Sequence, residues 1–242
     1  MSVAIVCPTY NESENLESLV SRVFALDGID PRLIIVDDSS PDGTAKVVEA
    51  ITKESGLPIT LIERQAKMGL GTAYIDGFSA ALKTDCEFVV QMDADLSHPP
   101  ELIPLLLKSL QNHDVAVASR YIEDGSNNEK WSYWRKLVSR GGDSYVRAIL
   151  GLNASDPKSG FKAFRSNVLT SIPLNNINSV GFIFQSELLF LAKKYGFSVT
   201  EIPYEFAKRT AGNSKMSRSI IIEGLLRPLQ IRWKYSRLRK EK

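Results

Sequence analysis

The sequence predicts an α/β fold with a mixed, mostly parallel sheet and helices on both faces, in a single domain. Over the first 120 residues, strand-like segments alternate with helical ones, which is the order of parallel strands joined by helices. The strand segments are apolar throughout, as expected of strands covered on both faces. A chain of 242 residues with 43% hydrophobic and 24% charged residues is enough for a sizeable core.

Five apolar segments are the predicted strands of the first half, and helical segments follow the first four. The strands lie at residues 3–7, 33–36, 59–62, 88–92 and 115–118, and the helices after 13, at 45–54, from 69 and at 101–112. Asn11 or Ser13 is the expected N-cap of the first helix, and Asp42 or Thr44 that of the second. These side chains accept hydrogen bonds from the free amides at a helix start.

The second half is less regular. It reads as a polar loop at 123–130, a helix at 131–150, an edge strand at 159–164, a helix at 182–195, a strand at 198–203, a basic loop at 206–217 and a helix at 219–239. Pro228 is expected to kink the last helix.

Polar residues follow four of the predicted strands where each strand ends, at 8–12, 37–38, 93–97 and 120. In open α/β sheets, ligands bind outside the carboxyl ends of the strands. Helix capping alone does not readily explain four such ends, so we expect a ligand site at this edge.

Asp93 and Asp95 are the sharpest chemical feature of that edge. Residues two apart on an extended chain share a face, and adjacent carboxylates repel each other unless a cation or donors neutralise them. Mg²⁺ is commonly held by one or two carboxylates together with substrate phosphates. The alternative is a turn and helix cap, where Asp, Ser and Pro are ordinary residues.

The net charge of +2 is unevenly distributed. Residues 227–242 carry seven Lys or Arg and one Glu, a local charge of +6, so the remainder carries 2 − 6 = −4. Such a tail indicates an acidic partner, membrane headgroups or nucleic acid.

Several features bear on the cellular compartment. Cys7 and Cys86 show no metal-ligand spacing and are expected to be buried, reduced thiols. The chain starts on a strand-like segment without a basic n-region, so we expect no signal peptide. No apolar run approaches the roughly 18 residues that cross a bilayer. We expect a cytosolic protein, or one peripheral on a cytosol-facing membrane.

Three segments resemble a known family: VCPTYNE at 6–12, VDDSSPDGT at 36–44 and MDADLSHPPE at 92–101. The sequence is similar to the inverting GT-A (Rossmann-like) glycosyltransferases of family 2, and within them to the dolichol-phosphate (polyprenol-phosphate) mannosyltransferases. Shorter segments extend the resemblance to residue 215. They are GLG at 69–71, SRY at 119–121, SRG at 139–141, SGF at 159–161 and RTAGNSK at 209–215.

The resemblance implies inverting transfer of mannose from GDP-mannose to dolichyl or polyprenyl phosphate, forming a polyprenyl-phosphate β-mannose. The acceptor is already an anion and needs no strong general base, so catalysis rests on alignment and on neutralising the departing diphosphate. The implied cofactor is Mg²⁺ or Mn²⁺, which acts as a Lewis acid near the donor phosphates.

The metal-binding role falls on the acidic loop. The resemblance assigns Asp93 and Asp95 to the metal and the diphosphate. Ser97 stands where many relatives carry a Gln that helps to bind the metal, and it is either a weaker ligand or a helix N-cap.

The nucleotide pocket is assigned in the same way. Asp37 resembles the acid that meets the nucleoside, and Asp38 either joins it or caps a helix. Residues that resemble the pocket wall are Pro8, Tyr10 and Glu12.

Basic residues are assigned to the two phosphate groups. Lys67 and Gly69 precede a helix whose start suits a phosphate, with Arg64 nearby. Arg209 and Lys215 lie in a loop expected to close over the diphosphate. The positions that match an acceptor-phosphate grip are Arg120, Arg135 and Ser139. The alternative for these three is a solvated basic face.

Four further residues have weaker assignments. Gln185 and Glu187 either touch the sugar or form polar pairs in the core. His98 and His113 are interpreted as structural.

Residues 217–242 are predicted to form a basic amphipathic helix beside a catalytic domain at 1–216. Such a helix with a Trp suits an anionic membrane surface, and the alternative is a helix packed on the domain with a solvated basic face. The implied enzyme is peripheral on the cytoplasmic side of a membrane, the endoplasmic reticulum in a eukaryote. A small membrane-anchoring subunit is a further candidate partner.

Three other functions are weighed against this one. A polyprenyl-phosphate glucosyltransferase using UDP-glucose would share the fold and mechanism. A sugar nucleotidyltransferase would share the sheet and acidic metal site but release pyrophosphate. A nucleic-acid-binding module is disfavoured, because carboxylates at the strand ends repel phosphates without a metal.

Overall fold

The computed structural model of the protein describes residues 1–121, 133–205, 218–236 and 238, without the side chains at 133–140 and 218–223. The strands in this part are β1 (Ser2–Thr9), β2 (Asp30–Asp37), β3 (Ile59–Glu63), β4 (Phe88–Gln91), β5 (Val115–Ser119), β6 (Lys162–Arg165) and β7 (Val199–Pro203). The α-helices are α1 (Leu16–Phe24), α2 (Thr44–Ser55), α3 (Leu70–Ala81), α4 (Ile103–Ser109), α5 (Tyr133–Leu150), α6 (Ser166–Ser171), α7 (Phe184–Lys194) and α8 (Arg218–Lys234).

The strands form one sheet in the order β3-β2-β1-β4-β6-β5-β7. β6 runs antiparallel to both of its neighbours, and the other pairs are parallel. The predicted mixed, mostly parallel sheet is confirmed. The carboxyl ends of β1, β2, β4 and β5 therefore lie at one edge, which is also the edge where β6 begins.

Successive strand residues point to opposite sides of the sheet and enter two different hydrophobic cores. Val3 and Ile5 of β1 belong to the core that packs against α1, α2 and α4. Ala4 and Val6 belong to the core that packs against α3, α5, α6, α7 and α8. Both faces are covered, which explains why the strands are apolar throughout.

The predicted edge strand at 159–164 is wrong. β6 lies inside the sheet, with Lys162 paired to Gln91 of β4 on one side and to Val117 of β5 on the other. A lysine in a short strand is typical of a sheet edge. Lys162 is nevertheless fully buried, because internal hydrogen bonds satisfy its amine.

The expected N-caps of the first helix are also wrong. α1 begins at Leu16, after residues 11–13 have been tied to the neighbouring loop. The amide of Asn11 donates to Ser40 Oγ at 3.0 Å, and that of Ser13 donates to Asp42 Oδ2 at 3.1 Å. The expected helix at 101–112 is a 3-10 turn at Pro100–Leu102 followed by the shorter α4.

For the second helix, Gly43 occupies the N-cap position, so the expected caps Asp42 and Thr44 are wrong, although Asp42 contacts the start of the helix. Its Oδ1 accepts from the amide of Thr44, the first residue of α2, at 3.0 Å.

α8 packs on the rest of the chain through one side and leaves an apolar side exposed. Ile231 and Tyr235 are buried against the core. The exposed apolar side chains are Leu225, Leu226, Leu229 and Trp233. Among the described helices, none is both long and apolar enough to span a bilayer.

Basic side chains of α8 reach back to the domain. Arg232 donates to the carbonyl of Ile149 at 2.7 Å, and Arg227 and Lys234 donate to the carbonyls of Asn178 and Asn176. The exposed residues of α8 thus include these apolar side chains together with Gln230, Arg232 and Lys234.

Candidate active site

The acidic residues lie in a bend that follows β4. The strand ends at Gln91, and Leu96 takes a positive φ of 61° within the bend. The expectation that Asp93 and Asp95 share the face of an extended chain is therefore wrong. The side chain of Asp93 is 29% exposed and its Oδ1 accepts from the Tyr74 hydroxyl at 3.3 Å, whereas Asp95 is only 6% exposed.

Ser97 shapes this bend through its hydroxyl group. The hydroxyl donates to Asp95 Oδ1 at 2.6 Å, and the Ser97 amide donates to the same oxygen at 3.1 Å. It is not the cap of a helix, because the following 3-10 turn has Pro99 at its N-cap position. Its role as a metal ligand stays a prediction.

His98 holds the backbone of the acidic bend. Its Nδ1 accepts from the Asp93 amide at 2.9 Å, and its ring stacks on Phe161 with centroids 5.1 Å apart. Burial lowers the pKa of His98, partly opposed by the charges of Asp93 and Asp95. The ring is thus neutral near pH 7, with its proton on Nε2. The structural interpretation of His98 is correct, but the sequence did not reveal its contact with Asp93.

The donor atoms of the bend fit a hard divalent cation. Among the described residues, no group of three or more His, Cys, Asp or Glu side chains is arranged around a metal position. A pair of carboxylates suits Mg²⁺ or Mn²⁺ when substrate phosphates complete the coordination. Asp93 and Asp95 are the residues that would hold such an ion.

Asp37 is buried at the end of β2 and already accepts three hydrogen bonds. Its Oδ1 accepts from Thr9 Oγ1 at 2.9 Å and from Ser40 Oγ at 2.6 Å, while its Oδ2 accepts from the Ser40 amide at 2.9 Å. Asp37 therefore fixes the loop after β2 against the end of β1. A contact with a nucleoside stays a prediction.

Asp38 anchors the loop that leads into α3. Its carboxylate accepts from the amides of Met68 and Gly69, each at 2.9 Å, and from Arg64 Nη1 at 2.8 Å. Arg64 also donates to Thr72 Oγ1 at 2.7 Å. Asp38 does not cap a helix, because neither α2 nor α3 has a side-chain cap hydrogen bond, and its contact with a nucleoside stays a prediction. Arg64 is buried in the same network.

The predicted wall of the nucleotide pocket lies beside this loop. Lys67 is exposed, and its Nζ lies 3.4 Å from the centre of the Tyr10 ring, a cation–π contact. Glu12 accepts from the Asn15 side chain at 2.7 Å. Pro8 lies within β1, paired with β2.

Gly69 permits a close approach between two loops. It has a φ of 98°, and a β-carbon at this position would lie 2.4 Å from Val180 Cγ1. The amide of Gly71 donates to the Val180 carbonyl at 2.8 Å. Glycine is therefore required here for backbone conformation and for space.

Arg120 is joined to a buried carboxylate. Its Nε and Nη2 donate to Asp156 Oδ2 and Oδ1 at 2.6 and 2.8 Å. Burial acts to lower the pKa of Arg120, but the bonds to Asp156 outweigh it and raise the pKa overall. A contact between Arg120 and an acceptor phosphate stays a prediction.

Four other predicted site residues lie outside the part of the chain whose side chains are described. They are Arg135, Ser139, Arg209 and Lys215.

Gln185 and Glu187 form polar pairs in the core, which confirms the alternative to a sugar contact. Gln185 accepts from Lys162 Nζ at 2.9 Å, and Glu187 accepts from the hydroxyl of Tyr235 at 2.9 Å and from Ser179. Both side chains are 1% exposed.

Sequence reasoning missed three residues around the site: Tyr74, Asp156 and Lys162. Their positions depend on contacts between distant segments, and no local pattern marks them. The one available signal was Lys162, a lysine within an otherwise apolar strand.

Comparison with known proteins agrees with this geometry. The family model described as glycosyl transferase family 2 matches residues 4–172. A polyprenol monophosphomannose synthase of Mycolicibacterium smegmatis is 37% identical over 225 residues, which are 92% of this chain and 84% of that protein. An undecaprenyl-phosphate mannosyltransferase of Micrococcus luteus is 36% identical over 99% of both chains. A dolichol-phosphate mannosyltransferase of Pyrococcus furiosus is 40% identical over 93% of this chain and 62% of its own.

Solved structures support the same fold. Glucosyl-3-phosphoglycerate synthase from Mycobacterium tuberculosis, in complex with Mn²⁺, UDP and phosphoglyceric acid, superposes with a TM-score of 0.67 at 22% identity, covering 94% of this chain and 78% of that one. A structure of the same enzyme with Mg²⁺ and UDP has a TM-score of 0.66 at 22% identity, over 95% and 79% of the two chains. The GT-A expectation is confirmed. With the family model spanning most of the chain and relatives above one third identity, this protein belongs to glycosyl transferase family 2.

Proposed function

We propose that the protein transfers mannose from GDP-mannose to a polyprenyl or dolichyl phosphate, with inversion at the sugar carbon. The observation that carries the proposal is the match to an undecaprenyl-phosphate mannosyltransferase along 99% of both chains. A match of that extent leaves no large part of either protein without a counterpart.

The arrangement of the acidic bend supports the donor half of the reaction. Asp93 and Asp95 would hold a divalent cation near the donor diphosphate, where the cation would supply Lewis acidity for the departing phosphates. Tyr74 and His98 hold Asp93 from two sides. We assign Arg209 and Lys215, which lie outside the described residues, to the departing diphosphate.

The nucleophile is the acceptor phosphate. One of its oxygens attacks the anomeric carbon of mannose, the bond from that carbon to GDP breaks, and the electron pair leaves with the diphosphate. Because the phosphate is already ionised, the site needs alignment rather than a strong base. Arg120, Arg135 and Ser139 grip the acceptor, and a planar guanidinium suits a phosphate.

We also infer that α8 rests on the cytoplasmic surface of a membrane. Leu225, Leu229 and Trp233 follow one another at a spacing of four residues, so they lie along one side of the helix. Trp233 is 82% exposed. An exposed apolar stripe that carries a Trp suits the boundary between headgroups and acyl chains, which is where a polyprenyl phosphate presents its phosphate. A membrane-anchoring subunit is the alternative occupant of this stripe.

Transfer of radiolabelled sugar into a chloroform phase tests the reaction. The protein is mixed with short-chain polyprenyl phosphate and Mn²⁺, with GDP-mannose and UDP-glucose in separate reactions. We expect extractable counts from GDP-mannose alone. Counts from UDP-glucose alone would show that UDP-glucose is the donor in place of GDP-mannose. Formation of pyrophosphate from a nucleoside triphosphate would point to a nucleotidyltransferase.

Flotation with vesicles of phosphatidylcholine and phosphatidylglycerol tests the membrane contact. Changing both Leu229 and Trp233 to Ser is expected to weaken vesicle binding at least about tenfold, because two large apolar side chains are lost that would otherwise transfer from water into the bilayer. Leu105→Ser is the control, since Leu105 is 47% exposed on α4, across the sheet from α8. Equal binding of both variants would remove this assignment.

A further inference from the structure

A buried polar cluster lies at the sheet edge where β4 ends and β6 begins. Lys162, Gln91 and Gln185 form it, and each is at most 1% exposed. Lys162 Nζ donates to the carbonyl of Ser159 and to Gln185 Oε1. Gln91 Nε2 donates to the same Gln185 oxygen and, at 3.1 Å, to the carbonyl of Gly160. One connected cluster therefore holds two consecutive carbonyl groups of the chain.

Those carbonyls belong to the loop at residues 155–160, which touches both halves of the candidate site. At one end, Gly160 lies beside the acidic bend, since a β-carbon on Gly160 would lie 3.1 Å from His98 Cε1 and 3.4 Å from Asp93 Oδ1. At the other end, Asp156 holds the guanidinium group of Arg120. The position of this loop thus bears on the metal-binding carboxylate and on the acceptor arginine together.

The outer end of the loop has a separate anchor on β7. Glu201 accepts from the amides of Ser155 and Asp156 at 2.8 and 3.1 Å. The amide of Ser159 donates to the Asp156 carbonyl at 3.2 Å. Glu201 therefore fixes the Asp156 end, and Lys162 with its partners fixes the Ser159–Gly160 end.

Burying the polar side chains of this cluster under the loop costs free energy. Burial lowers the pKa of Lys162 to about 7, although the charges of Asp156 and Asp93 act in the opposite direction. Among the described residues, Gln91 Oε1 and Gln185 Nε2 are buried without a hydrogen-bond partner. A partly satisfied buried polar network stabilises a fold less than an apolar core of the same volume. Stability alone does not account for the cluster.

We propose that Lys162 is a positioning residue for the transfer reaction. By holding the Ser159–Gly160 end of the loop, it keeps Gly160 beside Asp93 and, through the bond from the Ser159 amide to the Asp156 carbonyl, supports the Asp156 end that Glu201 also anchors. The inference rests on the proposed function for the identity of the substrates, and on the geometry alone for the coupling between the two halves of the site.

Calorimetric titration of Mn²⁺ into the full-length protein in the presence of GDP, and separately of UDP, tests the first half of this role. Lys162→Met keeps an unbranched side chain that is one atom shorter and removes the amine. We expect its Mn²⁺ affinity to fall by about 10- to 100-fold, the range found for residues that support metal ligands. The KM for short-chain polyprenyl phosphate should rise by about tenfold, because the loop that carries Asp156, the partner of Arg120, loses one of its two anchors.

Two further variants separate positioning from stability. Phe164→Leu changes a buried residue on the same strand, so it should lower the melting temperature while leaving the Mn²⁺ affinity and the acceptor KM at wild-type values. Gln91→Met removes the bond to the Gly160 carbonyl, so it should weaken Mn²⁺ binding more than acceptor use.

A folded Lys162→Met protein with wild-type Mn²⁺ affinity and acceptor KM would overturn the proposal. If that variant does not fold, wild-type Mn²⁺ affinity in a folded Gln91→Met protein would overturn the proposal instead. A wild-type protein that binds Mn²⁺ with a nucleotide but transfers no mannose would overturn the proposed function, and the titrations would still test Lys162. Absence of Mn²⁺ binding with either nucleotide would remove both the metal assignment and this role.

Discussion

The guanidinium group of Arg120 and the carboxylate of Asp156 meet through two parallel hydrogen bonds of 2.6 and 2.8 Å. The side chain of Asp156 is fully buried and that of Arg120 is 14% exposed. A guanidinium group held by a buried carboxylate cannot rotate freely, so this pair sets the direction in which Arg120 faces the site.

Replacing Asp156 by Asn should therefore impair both acceptor use and stability. We expect the acceptor KM to rise by about tenfold, and the free energy of unfolding to fall by about 3 kcal/mol, because breaking a buried pair leaves a charge uncompensated. Steady-state kinetics and urea titrations measure the two effects. Glu101→Gln breaks the exposed pair with Arg22 and should cost less than about 1 kcal/mol. Similar losses in both variants would argue against a special role for Asp156.

Asp95→Asn tests the assignment of the acidic bend. The amide keeps the shape of the side chain but removes the charge that holds a cation, so turnover should fall at least about 100-fold, the scale of losing one stabiliser of developing charge. Transfer assays at saturating Mn²⁺ measure this loss, and thermal unfolding checks the fold. Asp42→Asn, in an exposed loop, serves as the control. Normal turnover in the Asp95 variant would remove the metal assignment.

The buried amine of Lys162 predicts a pH dependence of stability. Its pKa is about 7 in the folded protein and about 10.4 in an unfolded chain. Between these values the unfolded state binds more protons, so the contribution of Lys162 to stability becomes more favourable as pH rises. Urea unfolding at a series of pH values should show the free energy of unfolding of the wild type rising relative to that of Lys162→Met above about pH 7. Parallel curves for the two proteins would contradict the prediction.

The hydroxyl of Tyr235 links α8 to the interior of the domain. It donates to Glu187 Oε1 at 2.9 Å, at a carboxylate that is 1% exposed. Tyr235→Phe leaves that carboxylate with one donor fewer, so the free energy of unfolding should fall by about 1–3 kcal/mol. Urea titration measures it, with Tyr195→Phe at an exposed position as the control. An unchanged stability would favour a tail that folds separately from residues 1–216.

The first half of the fold was readable from the sequence because its elements are local. Solid apolar runs such as residues 33–36 appear as β2, and the helix expected from residue 69 begins at Leu70. The prediction failed at β6, which was expected at an edge and lies inside the sheet. It also failed at Asn11 and Ser13, whose amides bond to a loop about 30 residues away. In both cases the deciding contacts come from distant segments.

The position of the candidate site was predictable from the sequence, but the contacts of its side chains were not. Asp37 ends a strand and Asp93, Asp95 and Arg120 follow strands, and the parallel order of those strands brings the four residues to one edge of the sheet. Motif position does not reveal what each side chain contacts. Asp38 was ambiguous in the sequence, and the structure commits it to the loop before α3.

By itself, the sequence determined the α/β class, the family and the edge of the sheet where the candidate site lies, because periodicity and strand-end motifs are properties of short segments. Only the tertiary structure decided that β6 enters the sheet antiparallel and begins at that edge. That placement buries Lys162 and brings the loop from Asp156 to Gly160 between Arg120 and Asp93. The reason is physical: the partners of a buried polar group are chosen by packing between segments far apart in the chain, and no local pattern encodes them.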